Sequence, residues 1–254
     1  MKASEFIKEH PICCFCGGET PSETIEHQPA KIIFPEKHRP RGLEFPACKR
    51  CNGQTSIDEC ILAFVARIAG SMRVNIKPDT GLQKALQTIS VAYPKLLPSI
   101  HSIAADVEGR QLPATDLNKR EVNEGLCRVA AKLALSTYYD ETGRIARSGT
   151  RVNTMWTHNQ RRDGAELVKD LLGRFPAGKQ LRMGRWDSSE TFFIRYLVEG
   201  DVVQVAAIFH ESVALMAQFL DGADASDWGA LAYTFAPDPR QGIMLVSQRW
   251  TQLT

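Results

Sequence analysis

The chain has 254 residues, 43% hydrophobic and 24% charged, with a formal net charge of +2. This is globular composition, and it excludes disordered and fibrous classes. No apolar run approaches the roughly 18 residues of a membrane span, and the stretch MKASEFIKEH holds no apolar leader, so a soluble cytoplasmic protein is expected.

The charge is unevenly spread. Residues 110–185 hold 15 Lys/Arg against 8 Asp/Glu, whereas residues 186–254 hold 3 against 9. A basic middle and an acidic end suggest different partners for different faces.

Residues 11–56 carry few large apolar side chains and many turn formers, so burial alone would not stabilise them. They do carry two C-x2-C pairs, Cys13/Cys16 and Cys48/Cys51, each followed by turn residues (Gly17-Gly18 and Asn52-Gly53). The chain has 7 cysteines, an odd count that argues against a closed disulfide framework. Paired this way, the four thiols read as a tetrahedral Zn2+ site. Cys14 is a spare, which as a ligand in place of Cys13 would make the first pair C-x-C. Cys60 and Cys127 sit in apolar helical patterns and are expected in the core.

From 56 to 69, Ile57, Ile61, Phe64, Val65 and Ile68 recur at helical spacing, and Gly70 is a stop. Residues 82–92 read as a helix ended by Pro94. Residues 95–117 are punctuated by proline, with a short strand near 101–107. Residues 118–140 give the strongest helix. Asn118 is its cap with Glu121 as capping-box partner, Val122, Leu126, Val129, Leu133 and Leu135 form its apolar face, and Gly143 ends it. Residues 158–175, with Leu167, Leu171 and Leu172, read as a further amphipathic helix. Residues 192–198 and 202–209 are β-rich runs around Glu199-Gly200-Asp201, a hairpin signal. Residues 212–220, 231–235 and 243–246 add candidate strands. The fold class is α+β: an N-terminal zinc-stapled unit, a helical middle and a C-terminal antiparallel sheet. The division expected is 1–70 for the zinc unit and 71–254 for the helical and sheet domain.

Between the cysteine pairs stands Thr24-Ile25-Glu26-His27-Gln28-Pro29, and Asn52 follows the last cysteine directly. A neutral imidazole can deprotonate water near pH 7. Glu26 and Asn52 offer oxygens that suit a hard divalent cation. On a strand, Glu26 and His27 would point to opposite faces, so one of them must lie at a bend if both serve one phosphate.

Written out, the pattern is C-x2-C-G, Glu-His-x-Pro, C-x2-C-Asn. This resembles the HNH endonucleases, the ββα-metal nucleases, in the zinc-knuckle branch of the phage junction-resolving recombination endonucleases. The resemblance covers about residues 12–60. It implies a hairpin and helix that hold one divalent metal, Mg2+ or Mn2+, at the scissile phosphate. His27 matches the general base, Glu26 and Asn52 match the metal ligands, and Cys13, Cys16, Cys48 and Cys51 match the structural zinc ligands. The family more often has Asp at position 26, and Leu43 and Glu44 stand where its middle Asn belongs.

Lys31, Arg39, Arg41, Lys49 and Arg50 flank the motif and are candidate phosphate-backbone contacts, with Arg41, Lys49 and Arg50 the assigned nucleic-acid binders. His38 is a surface-loop residue that could add to them. Arg144, Arg147, Arg151, Arg161 and Arg162, with Trp156 nearby, could extend that surface. The other histidines have no partner pattern. The resulting expectation is a metal-dependent DNA endonuclease, with a phage-defence effector and a protein partner or oligomer through the C-terminal domain as its wider setting. The alternative is a zinc-stabilised nucleic-acid-binding module that does not cut.

Overall fold

A computed structural model describes residues 2–34, 39–71, 80–99, 103–107, 110–114, 116–117, 119–148, 150, 152–158, 166, 169, 173, 175, 177–179, 181–183, 186–188 and 190–221. In chain order the elements are α1 (Ala3–Glu9), β1 (Thr24–His27), a 3-10 turn (Lys31–Ile33), β2 (Glu44–Ala47), α2 (Lys49–Gln54), α3 (Ser56–Ser71), α4 (Thr80–Ala92) and α5 (Leu96–Ser99). They continue with β3 (Ile103–Val107), β4 (Arg110–Ala114), α6 (Arg120–Thr142), β5 (Asn153–His158), β6 (Ala177–Lys179), β7 (Arg182–Met183), β8 (Trp186–Asp187), β9 (Phe192–Glu199), β10 (Val202–Phe209) and β11 (Val213–Leu220). Among the described residues no helix is long and apolar enough to cross a membrane.

The α+β class and its order are those expected: cysteine-rich hairpin, helical middle, antiparallel sheet. The sheet runs β5-β11-β10-β9-β6, with every neighbouring pair antiparallel. Gly200 and Asp201 make the two-residue turn of its central hairpin, Gly200 at φ +60°. Burial alternates along β9, while β10 is buried almost throughout.

Helix α6 packs on the sheet with one side and on α3 with the other. That double contact explains why its burial runs almost without interruption from Val122 to Tyr138. Gly143 ends it as expected, at φ +67°, its N–H donating to Tyr139 O at 2.8 Å. The start differs: Lys119 is the N-cap and makes no side-chain cap bond, and Asn118 lies outside the described residues. Helices α3 and α6 are joined by Arg128, which donates to both carboxylate oxygens of Asp58 at 2.8 and 2.7 Å.

The elements not foreseen are α1, α5, β4, β5 and the short strands β6, β7 and β8. Strand β5 ends at His158, where a helix was expected to begin. Most of 158–175 lies outside the described residues, as do 231–235 and 243–246. Buried side chains from Cys13 to Ala66 and from Leu117 to Phe219 form one contiguous cluster.

Gly17, in the first cysteine turn, joins the N-terminal unit to the loop after α6. It sits at φ +66°, and a Cβ there would stand 2.6 Å from the backbone nitrogen of Ser148. Gly143 has nearly the same φ, +67°, but open space around it. Gly143→Ala is expected to lose about 1 kcal/mol of stability from backbone strain alone. Gly17→Ala adds a backbone clash and is expected to lose about 3 kcal/mol. Urea unfolding midpoints of the two variants against the wild type measure the difference.

Candidate metal centre and histidine face

Short-range geometry builds the cysteine cluster. Cys13 N donates to Thr20 O at 3.0 Å and Glu19 N to Cys16 O at 3.2 Å, closing the first turn. Gly17 and Gly18 both have positive φ there, which lets the chain reverse tightly. The second pair opens α2: Cys48 is its N-cap, with Sγ accepting from Cys51 N at 3.4 Å. Cys14 N donates to Pro46 O and Glu23 N to Ala47 O, which ties the first turn to β2.

The four sulfurs of Cys13, Cys16, Cys48 and Cys51 all lie within 4.8 Å of one another, all four residues are buried, and none forms a disulfide. In a tetrahedral zinc site with bonds of about 2.3 Å the sulfurs stand roughly 3.8 Å apart, so the cluster needs only a small contraction to close on a metal ion. Hydrogen bonding from Cys51 already pulls the Cys13 thiol down to about 5, well below the usual thiol range. Cys14 belongs elsewhere. It is 1% exposed, and burial raises its thiol above the ordinary range, so it stays protonated beside the cluster. Cys60 and Cys127 are buried core thiols raised by desolvation, as their helical positions imply.

Above the cysteines, β1 and β2 pair antiparallel with Glu26 opposite Phe45 and His27 opposite Glu44. The alternation of the strand holds through both residues, and no bend brings them to one side. Glu26 faces inward and is 4% exposed. Its Oε2 lies 2.9 Å from Lys132 Nζ, and its Oε1 accepts from Gln28 Nε2 at 3.0 Å. His27 faces outward with its side chain 31% exposed, its Nε2 being 3.9 Å from Glu44 Oε1. Burial, then the positive charges of Arg39 and Lys31, hold the imidazole below its ordinary range against the opposing pull of Glu44. It is therefore neutral, and able to accept a proton, at neutral pH.

Asn52 serves the framework. Its Nδ2 donates to Thr24 Oγ1 at 2.9 Å and to Ile25 O at 3.1 Å, which fastens α2 to β1. The expectation that Glu26 and Asn52 hold one divalent metal beside His27 finds no support in this geometry. Both oxygens of Glu26 already face an ammonium and an amide, on the opposite side of the strand from the imidazole. As folded, Glu26 does not fit a catalytic Mg2+ or Mn2+.

The basic residues divide in the same way. Arg41 and Arg50 are exposed and carry no ion pair among the described residues. Lys49 is exposed but pairs with Glu23 at 3.0 Å. Arg39 is no surface contact. It donates to the carbonyls of Gln28, Pro29, Pro40, Gly42 and Leu43, closing the loop between β1 and β2, and burial lowers it to about 10. Arg144 pairs with Asp201 at 2.8 Å, and Trp156 is buried with its indole N–H on Asn123 Oδ1. His38, Arg151, Arg161 and Arg162 lie outside the described residues. His10 bonds Tyr139, and His210 bonds Ile33 O; both are framework contacts.

Sequence reasoning missed Lys132, Thr55 and Glu59, which gather around Glu26. The signal was a lone charge in the apolar run 129–135 of α6.

Metal analysis of the purified chain is expected to find a single zinc per molecule, and Cys48→Ser is expected to lose it. The thiolates that bind the metal also fold the loops that present them, so the binding energy, on the order of 10 kcal/mol in small sites, is folding energy. Loss of zinc with an unchanged unfolding midpoint would contradict this role. Comparison with models of known protein families, with curated proteins and with solved structures finds no match to this chain.

Proposed function

We propose that the chain is an HNH-type DNA endonuclease that hydrolyses phosphodiester bonds with His27 as general base. The observation that carries this reading is the placement of a neutral, half-exposed imidazole at the end of β1, on a hairpin that runs directly into α2 over a four-cysteine cluster. In that position His27 takes the proton from an attacking water while Glu44, opposite it on β2, lies within reach to orient or stabilise the imidazolium formed. Lys31, Arg41 and Arg50 stand exposed around the hairpin and hold the phosphate backbone. The resemblance implies a divalent metal for the developing phosphorane charge, but Glu26 as folded does not fit that role and no step is assigned to it.

That same contact favours a second reading. With Glu26 engaged by Lys132, the unit serves as a zinc-stapled nucleic-acid-binding module without cleavage.

A plasmid-cleavage assay with Mg2+ or Mn2+ separates the two. Under the nuclease reading, His27→Ala keeps zinc, fold and DNA affinity while losing cleavage by about 10² to 10⁴ in rate, the usual loss on removing a general base. DNA binding by a wild type that never cuts would support the binding module instead. Equal cutting by His27→Ala would remove His27 from the mechanism.

Both readings share a salt dependence. If Arg41 and Arg50 touch phosphates, reversing either charge should reduce the log–log slope of affinity against salt by about one unit, uniformly across sequences. Lys49→Glu should change it less, since Glu23 already occupies that ammonium. A salt-independent affinity would point away from nucleic acid altogether.

A further inference from the structure

Lys132 is 2% exposed, in the middle of α6. Its Nζ stands 2.9 Å from Glu26 Oε2, 2.8 Å from the Thr55 hydroxyl and 3.9 Å from Glu59 Oε1, with the Phe15 ring centroid 5.4 Å away. Thr55 in turn donates to Glu59 Oε1 at 3.0 Å. β1, the turn before α3 and α3 itself thus each present oxygen to a single cation. Glu26 Oε2 is fully buried and meets the ammonium by charge and distance, without a directed hydrogen bond. Two carboxylates and a hydroxyl form an all-oxygen set of the kind that suits hard divalent cations.

We propose that Lys132 is a resident cation: its ammonium fills an oxygen cage made by Glu26, Glu59 and Thr55 and keeps a divalent ion out of it. The cage is a latent divalent site closed by a side chain. Burial, and then Glu26 beside it, push the Glu59 carboxyl up, while the Lys132 ammonium pulls it back down. Without the ammonium, the buried Glu26 carboxylate would lose its nearest cation and keep only the weaker pull of Arg39, which a low-dielectric interior disfavours. Truncating Lys132 leaves space for an ion and its water. The inference concerns which cation occupies the cage and does not depend on whether His27 cuts DNA.

The test is Mn2+ binding to the zinc-loaded full chain, followed by the electron paramagnetic resonance signal of free Mn2+. Wild type and Glu26→Gln are expected to give the same isotherm, because Glu26 holds no Mn2+ while Lys132 is present. Lys132→Ala is expected to gain a single Mn2+ site, about tenfold or more tighter than any in the wild type. Its thermal unfolding should rise with added Mn2+, and the added Glu26→Gln change should abolish both effects. A folded Lys132→Ala that gains no site overturns the proposal. So does Mn2+ binding in the wild type that Glu26→Gln removes, a comparison that can overturn the proposal even if Lys132→Ala does not fold.

Discussion

The ion pair between Glu26 and Lys132 decides which way the hairpin faces. A strand places successive residues on opposite sides, so a shift of one residue would exchange Glu26 for His27 at the core. A carboxylate buried without a cation costs several kcal/mol, and breaking a buried pair typically costs about 3–5 kcal/mol. Lys132, fixed in the centre of α6, supplies that cation at one position only. It holds Glu26 inward and therefore holds His27 outward. Asn52 adds to the same restraint from the other end, by tying α2 to the backbone of β1. The exposure of the imidazole thus follows from a contact made by its neighbour, more than a hundred residues away in the chain.

Much of this was legible where the signal was local. The cysteine ligands could be read because their spacing is short and the turn residues after each pair were present. The helical pattern of 56–69 and the β-rich runs of 192–209 were legible because each element buries one continuous set of side chains. What failed was long-range. The motif names residue types but not the faces they occupy. The period-two rule already placed Glu26 and His27 on opposite sides, and a bend was invoked to bring them together. The strand instead keeps its alternation, and the rule was the better guide. Lys132 could be seen as a charge in an apolar run, but no local pattern could name its partner. Strand β5 was missed because Trp156 packs toward α6 and Met155 joins a separate small cluster with Ala206 and Met216, with no turn signal of their own.

Charge counts say less about which cations are free. The basic middle of the chain suggested an extended nucleic-acid surface, yet most of its described cations are already matched. Lys119 meets Asp116, Arg120 meets Glu124, Arg128 meets Asp58, Arg144 meets Asp201, and Lys179 meets Asp140 and Glu141. Asp221, from the acidic end, accepts from the Arg147 backbone and the Thr150 hydroxyl. The two oppositely charged segments thus meet partly through one another. Around the hairpin, Lys31, Arg41 and Arg50 carry no ion pair among the described residues, and Lys31 acts on the His27 imidazole.

The N-terminal unit and the rest of the chain therefore share one fate. Few of its residues could form a core alone, and a metal ion would supply what burial does not. The unit also leans on α6 through Lys132, on the loop after α6 through Gly17, and on β11 through α3. Three kinds of attachment, electrostatic, steric and apolar, converge on one small hairpin. Because α6 also lies against the sheet, a change in the sheet that shifted this helix would move Lys132, loosen Glu26 and alter the pose of His27. The sheet need not touch the histidine face to influence it; the shared helix is sufficient.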